Sequence, residues 1–483
     1  MDLDPVLLSR IQFAFVISFH AIFPVFTIGL ASYIALLEGL AFKTRNPLWL
    51  TLSSFWTKVF AVVFGMGVVS GIVMSFQFGT NWSNFSQATA NFIGPVLSYE
   101  VITAFFLEAA FLGVLLFGRD KVPPWVHLFA AIMVALGTLI STFWILSANS
   151  WMHTPAGVEL RDGTFYVTSW YDAIFNPSFP YRLTHMVLAS FLTGGFVVAG
   201  VSAWYLLNGR QVEANRKALS MCLWLLLIIA PAQAVVGDFH GLNTLEHQPQ
   251  KVAAMEGHWE TATNVPLLLF AIPDQENQTN HYEVGIPGLA SLILTHDWDG
   301  ELIGLNDVPA AERPPVAIVF WAFRVMVGLG LLMIAFALTG LFLRRGGRYW
   351  QTPWFLQSMR FMSITPFIAV LAGWFVTEIG RAPWLVQGIM THSEGVSPSL
   401  TGGMALFTLI GYIVVYALVF TAGLYYLMRV LYAGPEASDH AQEYDSGRPM
   451  RPMSATHVPF EIEDDAEGGM HRTPGSRANP GGH

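Results

Sequence analysis

A single cysteine, Cys222, stands among 483 residues. One thiol excludes an intramolecular disulfide, a cysteine-ligated iron–sulfur cluster and the C-x-x-C-H attachment of a c-type haem. Charge is also scarce. Asp, Glu, Lys and Arg make up 12% of the chain, against about 25% in an average soluble protein. The net charge of −9 comes mainly from one central loop and the C-terminal segment, which gives no basic surface for nucleic acid. The N-terminus lacks a basic n-region and an A-x-A site, and its first apolar run is too long for an h-region. It is read as a membrane span rather than a leader. No internal repeat is visible.

What is abundant is apolar. Hydrophobic residues are 53% of the chain and the mean hydropathy is +0.49. Apolar runs near the ~20 residues needed to cross a bilayer occur at about 11–40, 55–75, 95–117, 126–148, 183–207, 218–237, 316–343, 361–380 and 403–430. The expected fold is therefore all-α, a polytopic membrane protein with about nine transmembrane helices. Lys43, Arg45, Arg119, Lys121, Arg210, Arg216, Lys217, Arg344, Arg345 and Arg348 fall in loops on one side. The other side carries Arg161, Arg182, Lys251, Arg313 and Arg381. The richer side is cytoplasmic by the positive-inside rule, so the N-terminus is expected outside and the C-terminus inside. This divides the chain into helices 1–6 (1–237), an outer loop (238–315), helices 7–9 (316–433) and a disordered cytoplasmic tail (434–483). Loops as long as the outer one are usually functional or disordered.

Ionisable side chains within lipid are costly and mark function. His20 lies about 14 Å into span 1 at ~1.5 Å per residue, whereas His185 is close to the outer face. Arg324 and Met326 lie about 12–15 Å into span 7, and Glu100 about 8 Å into span 3. Trp374 and Glu378 stand near the outer end of span 8, with Arg381 just beyond. The unusual residues thus gather in the outer half of the membrane. Glu108 is the exception, about 12 Å further inward and on the same broad side of its helix as Glu100. Two carboxylates stepping inward resemble part of a proton path. Lys58 is another intramembrane charge, at the inner end of span 2, where snorkelling is the plainer reading. Met326 alone would read as core packing. Arg324 needs a buried anion, a carboxylate or a haem propionate.

Several strings are more specific: FQFGTNW (76–82), GPVLSYEVITAFFLEAAFLG (94–113), WILSANSWM (144–152), FWAFRVM (320–326) and GWFVTEIGRAPW (373–384). Together they resemble the large subunit of cytochrome bd-type quinol oxidases, through all nine spans. The short central loop resembles the cyanide-insensitive branch of that family. The resemblance implies low-spin haem b held by His185 and Met326. It implies a di-haem oxygen site, high-spin haem b with haem d or a third haem b, held by His20 and Glu378 in an order left open. Glu100 would be a further ligand or proton donor there. Trp374 would stack between haems, Arg324 and Arg381 would pair with propionates, and Glu108 and Lys58 would serve proton delivery. In HQPQKVAAMEGHWE, Lys251 and Glu256 stand at the family's quinol-contacting lysine and glutamate. The loop reads AIPDQEN (271–277) where a glycine is frequent at the first position.

The implied activity is oxidation of ubiquinol or menaquinol at the outer face and reduction of O2 to water with cytoplasmic protons, in the bacterial inner membrane. Proton motive force would then arise without pumping. The implied partners are a homologous membrane subunit II and small single-helix subunits. A haem–copper oxidase is disfavoured, because only two histidines are well placed within spans. A secondary transporter would show repeat symmetry. An electron-transfer subunit would hold only saturated haems.

Overall fold

The computed structural model describes residues 3–435. The expected tail, 434–483, lies outside them but for its first two residues. Among the described residues, nine helices are long and apolar enough to cross a membrane. These are α1 (Pro5–Thr44), α2 (Pro47–Thr80), α3 (Ile93–Phe117), α4 (Pro124–His153), α5 (Phe179–Leu207), α6 (Val212–His247), α8 (Val316–Arg344), α9 (Pro353–Ile379) and α10 (Gly402–Ala433). A short helix, α7 (Pro249–Glu256), follows α6 directly.

Local chemistry sets the helix starts. The Asp4 side chain accepts from Val6 N–H and Pro5 occupies the first turn. Asn46 and Pro47 repeat the arrangement at α2, and Thr401 accepts from Met404 N–H at α10. An N-cap oxygen satisfies an amide with no helical partner, and proline lacks the amide that would need one.

Most helices outrun their apolar signal; α2 begins at Pro47 rather than 55. Span 6 was expected to end at 237, but α6 continues to His247, and α7 makes the next turns of the expected loop helical as well. The expected outer loop therefore begins as helix, over 238–247. Likewise α4 reaches His153 rather than 148, and α9 begins at Pro353 rather than 361. Hydropathy registers where lipid ends, whereas backbone hydrogen bonds continue a helix into polar sequence. Within α9 the helix breaks at Ser363–Ile364, just before Pro366, which cannot donate to the ladder. A π-helical turn, Val101–Phe105, interrupts α3 immediately after Glu100.

The core lies among α1, α2, α5 and α6, around Val16, Leu30, Ile34, Phe60, Phe196 and Leu226. At the α1–α5 crossing, a Cβ on Gly29 would overlap the Ser190 carbonyl oxygen, and one on Gly194 would stand 2.9 Å from Gly29. Small residues at such crossings let membrane helices approach closely. Beyond α7, β1 (Leu267–Asp274) and β2 (Thr279–Ile286) form an antiparallel hairpin with Phe270 opposite Val284 and Leu267 opposite Ile286.

Candidate functional site

The C-terminal ends of α4 and α9 meet α7 at one end of the bundle, and a polar chain joins them. Lys251 Nζ donates to His153 Nδ1 at 3.1 Å and to Gln248 Oε1 at 2.6 Å. His153 Nε2 lies 3.4 Å from Glu378 Oε1. Asn149 Nδ2 donates to the same oxygen at 2.8 Å, and Arg381 Nη2 donates to Glu378 Oε2 at 2.6 Å. Arg182 Nη1 donates to Asn149 Oδ1 at 2.9 Å. Lys251, His153, Arg182 and Arg381 are all buried. Burial, with Arg182 and Arg381 near, holds the Lys251 amine well below the usual lysine range, which favours the neutral, proton-accepting form.

About one and a half turns along α7 from Lys251, Glu256 meets Arg324. Arg324 Nη2 donates to Glu256 Oε2 at 3.0 Å. The same guanidinium donates to the carbonyls of Leu268, through Nε at 2.9 Å and Nη2 at 2.7 Å, and of Met255. It lies 3.8 Å above the Phe320 ring. Of the two anions the sequence allowed Arg324, the structure supplies the carboxylate. Burial pushes the Glu256 carboxyl above its usual range, and Arg324 opposes that shift.

The iron-ligand candidates sit against glycines of neighbouring helices. A Cβ on Gly71 would come within 3.0 Å of His20 Cε1, one on Gly237 within 3.2 Å of His185 Cε1, and one on Gly373 within 3.0 Å of Met326 Sδ. Trp374, half-buried, follows Gly373. His20 Nδ1 is 3.0 Å from Ser70 Oγ, which itself donates to Gly67 O at 2.9 Å. The serine therefore accepts from Nδ1–H, and Nε2 keeps its lone pair for a metal. His185 Nδ1 is buried with no hydrogen-bond partner, as are Arg381 Nε and Nη1 and Arg182 Nε. Imidazoles with a free nitrogen, a thioether and arginines with unused donors are the groups that iron and propionates require. The donor set fits haem. His20 and Glu378 make no hydrogen bond to each other among the described residues.

Glu100 and Glu108 both turn to α4. Ser141 donates to Glu100 Oε1 at 2.7 Å, and a Cβ on Gly137, one turn along, would stand 2.6 Å from Glu108 Cγ. Glu108 is buried. Lys58 is exposed on α2. A second polar cluster lies at the opposite end of the bundle. Glu38 accepts from Ser53, from Arg119 at 2.6 Å and faces His127 Nδ1 at 3.1 Å, all three of Glu38, Ser53 and His127 being buried.

Sequence reasoning missed His153, Asn149, Arg182, Gln248 and His127. His153 looked like a loop residue because the apolar run of its span ends at 148. The usable signal was its place directly after WILSANSWM, whose helix carries on.

The chain is similar along most of its length to several known proteins. The family model described as cytochrome bd terminal oxidase subunit I matches residues 8–435. Cytochrome bd ubiquinol oxidase subunit 1 of Bacillus subtilis (strain 168) is 35% identical over 448 residues, covering 91% of this chain and 96% of the relative. Cytochrome bd-II ubiquinol oxidase subunit 1 of Escherichia coli (strain K12) is 32% identical, covering 91% and 98%. A putative cytochrome bd menaquinol oxidase subunit I of Bacillus subtilis (strain 168) is 30% identical, covering 88% and 97%. The solved structure of bd oxidase from Geobacillus thermodenitrificans superposes with a TM-score of 0.83 at 32% identity, covering 90% of this chain and 100% of that one.

Proposed function

The chain belongs to the cytochrome bd terminal oxidase subunit I family, and on that premise we propose that it oxidises quinol at one membrane face and reduces O2 to water with protons drawn from the other. It is a multi-pass membrane protein and a quinol oxidase subunit. The proposed setting is the bacterial inner membrane, beside a homologous subunit II and, as further candidates, small single-helix subunits. Relatives are named for both ubiquinol and menaquinol, and either quinol suits the site.

His185 and Met326 would hold low-spin haem b, and His20 and Glu378 the high-spin haem b and haem d, or a third haem b. When bound, the haems supply one-electron transfer and the iron at which O2 is reduced. The protein's own groups handle protons and position. A quinol losing two electrons also releases two hydroxyl protons, so bases must stand beside it. The depressed Lys251 amine and the raised Glu256 carboxyl are both suited to accept one. The activity should therefore fall as pH drops toward the depressed Lys251 value and the amine is already protonated. Arg381 and Arg182 keep donors free for propionates, and Trp374, one turn before Glu378 on α9, would stack between haems. Glu108 would pass protons toward Glu100 through the low-dielectric interior, so that charge separates without pumping.

The observation that carries this reading is the Lys251–His153–Glu378–Arg381 chain, which joins the quinol-side helix directly to a candidate iron carboxylate. The test is a reduced-minus-oxidised spectrum of the purified complex with and without carbon monoxide, pyridine haemochrome analysis and quinol-driven O2 uptake. Absence of a carbon monoxide-binding high-spin component would sink the proposal.

Ser70→Ala should weaken haem retention at His20 by about 10–100-fold, as loss of the partner that orients a ligating histidine does. Haem content and the high-spin band report it, and the low-spin band should not change. Gly137→Ala should displace Glu108 and slow O2 reduction by roughly tenfold to a hundredfold, the scale of a 1 Å misplacement. Steady-state O2 uptake at unchanged haem content checks this.

A further inference from the structure

The β1–β2 hairpin has its polarity reversed for an element standing in water. Tyr282, Val284 and Ile286 are 79%, 59% and 43% exposed. Leu269, Phe270 and Ile272 are exposed as well. The polar Asn280 instead turns to the protein, donating to Gly257 O at 2.9 Å and accepting from Trp259 Nε1 at 3.0 Å.

The hairpin's height can be read from α8, along which β1 runs antiparallel. Leu268 O is held by Arg324, the Phe270 ring lies 5.2 Å from Trp321, and Gln275 Oε1 accepts from Val316 N–H at 3.1 Å. Helix α8 has 29 residues, about 43 Å at ~1.5 Å per residue, whereas the hydrocarbon core is only ~30 Å thick. With Arg344 and Arg345 at one interface, about 20 residues bring the other hydrocarbon boundary near Arg324, which corrects the depth of about 12–15 Å expected from a span that enters lipid at 316. The turns from Val316 to Phe323 then stand in the headgroup layer, and the hairpin stands beside them. Its apolar residues are close to the Arg324 level. Its polar turn, with Asp274, Glu276 and Asn277, is at the Val316 level, further from the membrane centre. The outward face of α8 continues the same surface, through Ile318, Trp321 and Val325, all exposed.

We propose that this apolar hairpin face rests on the phospholipid headgroup–acyl boundary of the leaflet at the N-terminal end of α8, the outer one by the charge count, and so acts as an interfacial anchor for the loop that carries Glu256. Amphipathic elements seat at that boundary by burying apolar side chains such as Phe270 in it, and the exposed Tyr282 suits an interface where ring and hydroxyl differ in solvent. The anchor does not depend on the quinol reading. It follows from height, polarity and continuity with the membrane face of α8.

The test uses the whole oxidase complex in phosphatidylcholine nanodiscs. Cys222 is the only cysteine of this chain and is buried, so Cys222→Ser, with any cysteine of the partner subunits replaced likewise, gives a clean background. An environment-sensitive fluorophore is attached at Val284→Cys, at Ile286→Cys as a second site, and at Glu276→Cys in the polar turn. Lipid carrying a doxyl quencher near the headgroup end of its acyl chain is then introduced. The expected result is blue-shifted emission at 284 and 286 that loses most of its intensity to the quencher, with little change at 276. Blue-shifted emission that the doxyl lipid does not quench would mean that a protein subunit covers the face. Unshifted emission would place it in water. Either outcome overturns the proposal.

Discussion

Met326→Leu should abolish the low-spin haem signal and reduce quinol-driven O2 uptake to background, while the complex still assembles. Leucine and methionine are close in volume, and such swaps in a core usually cost less than about 1.5 kcal/mol. Met326 packs beside Val319, Ala322, Ala372 and Val376, an apolar setting in which leucine is at home. What disappears is the sulfur, held in the space that Gly373 leaves. Six-coordinate Met/His ligation keeps an iron low-spin and raises its potential, so without Met326 electrons would lose their entry point. The carbon monoxide-binding component should persist, because His20 and Glu378 are untouched. The measurement is a reduced-minus-oxidised spectrum beside quinol-dependent and artificial-donor-dependent O2 uptake. An unchanged low-spin band would show that Met326 is core packing after all.

How much of this was legible in the sequence depends on which force wrote each feature. The nine spans were legible because lipid demands long apolar runs, and each observed helix contains its expected run, α9 to within one residue at its end. Helix ends were not, since α4, α6 and α9 continue where hydropathy stops. That single error hid His153. The ligand candidates His20, His185, Met326 and Glu378 stood out as exceptions to an apolar background, and their motifs sharpened them. Ser70, Gly71, Gly237 and Gly373 did not stand out. Small residues are ordinary in membrane helices, and their value here is positional, set by a neighbouring helix far away in sequence. Arg324 was legible as a demand for an anion, but its partner Glu256 lies on α7, which the sequence left as loop. The Glu38–Arg119–His127 cluster went unread because each member lies near a span end, where charges are unremarkable. Its depth of burial appears only when three helices pack.

The second large effect is expected from Arg324→Leu. The Arg324 guanidinium makes one ion pair, to Glu256, and satisfies two carbonyls, of Met255 and Leu268. Glu256 and Arg324 are both largely shielded from solvent, with 6% and 12% of their side chains exposed. Removing one partner of such a buried pair leaves an uncompensated charge and typically costs about 3–5 kcal/mol. The Leu268 and Met255 carbonyls lose their donor at the same time. The penalty falls on α7 and the hairpin rather than on the bundle, because the core among α1, α2, α5 and α6 does not include them. Quinol oxidation should therefore fall by about two to three orders of magnitude, at 1.4 kcal/mol per tenfold, with haem content close to normal. Arg324→Lys should recover little, since one ammonium cannot span three acceptors that a planar fork reaches together. The double variant Arg324→Leu, Glu256→Gln separates structure from chemistry. It removes the stranded charge, so protection of α7 and the hairpin in hydrogen exchange should return in part. Oxidation should not return, because the carboxylate proposed to accept a quinol proton is gone as well. Restored oxidation in the double variant would show that Glu256 serves only as the arginine's counter-ion and that the proton-accepting role lies elsewhere, with Lys251 the remaining base at that end of the bundle.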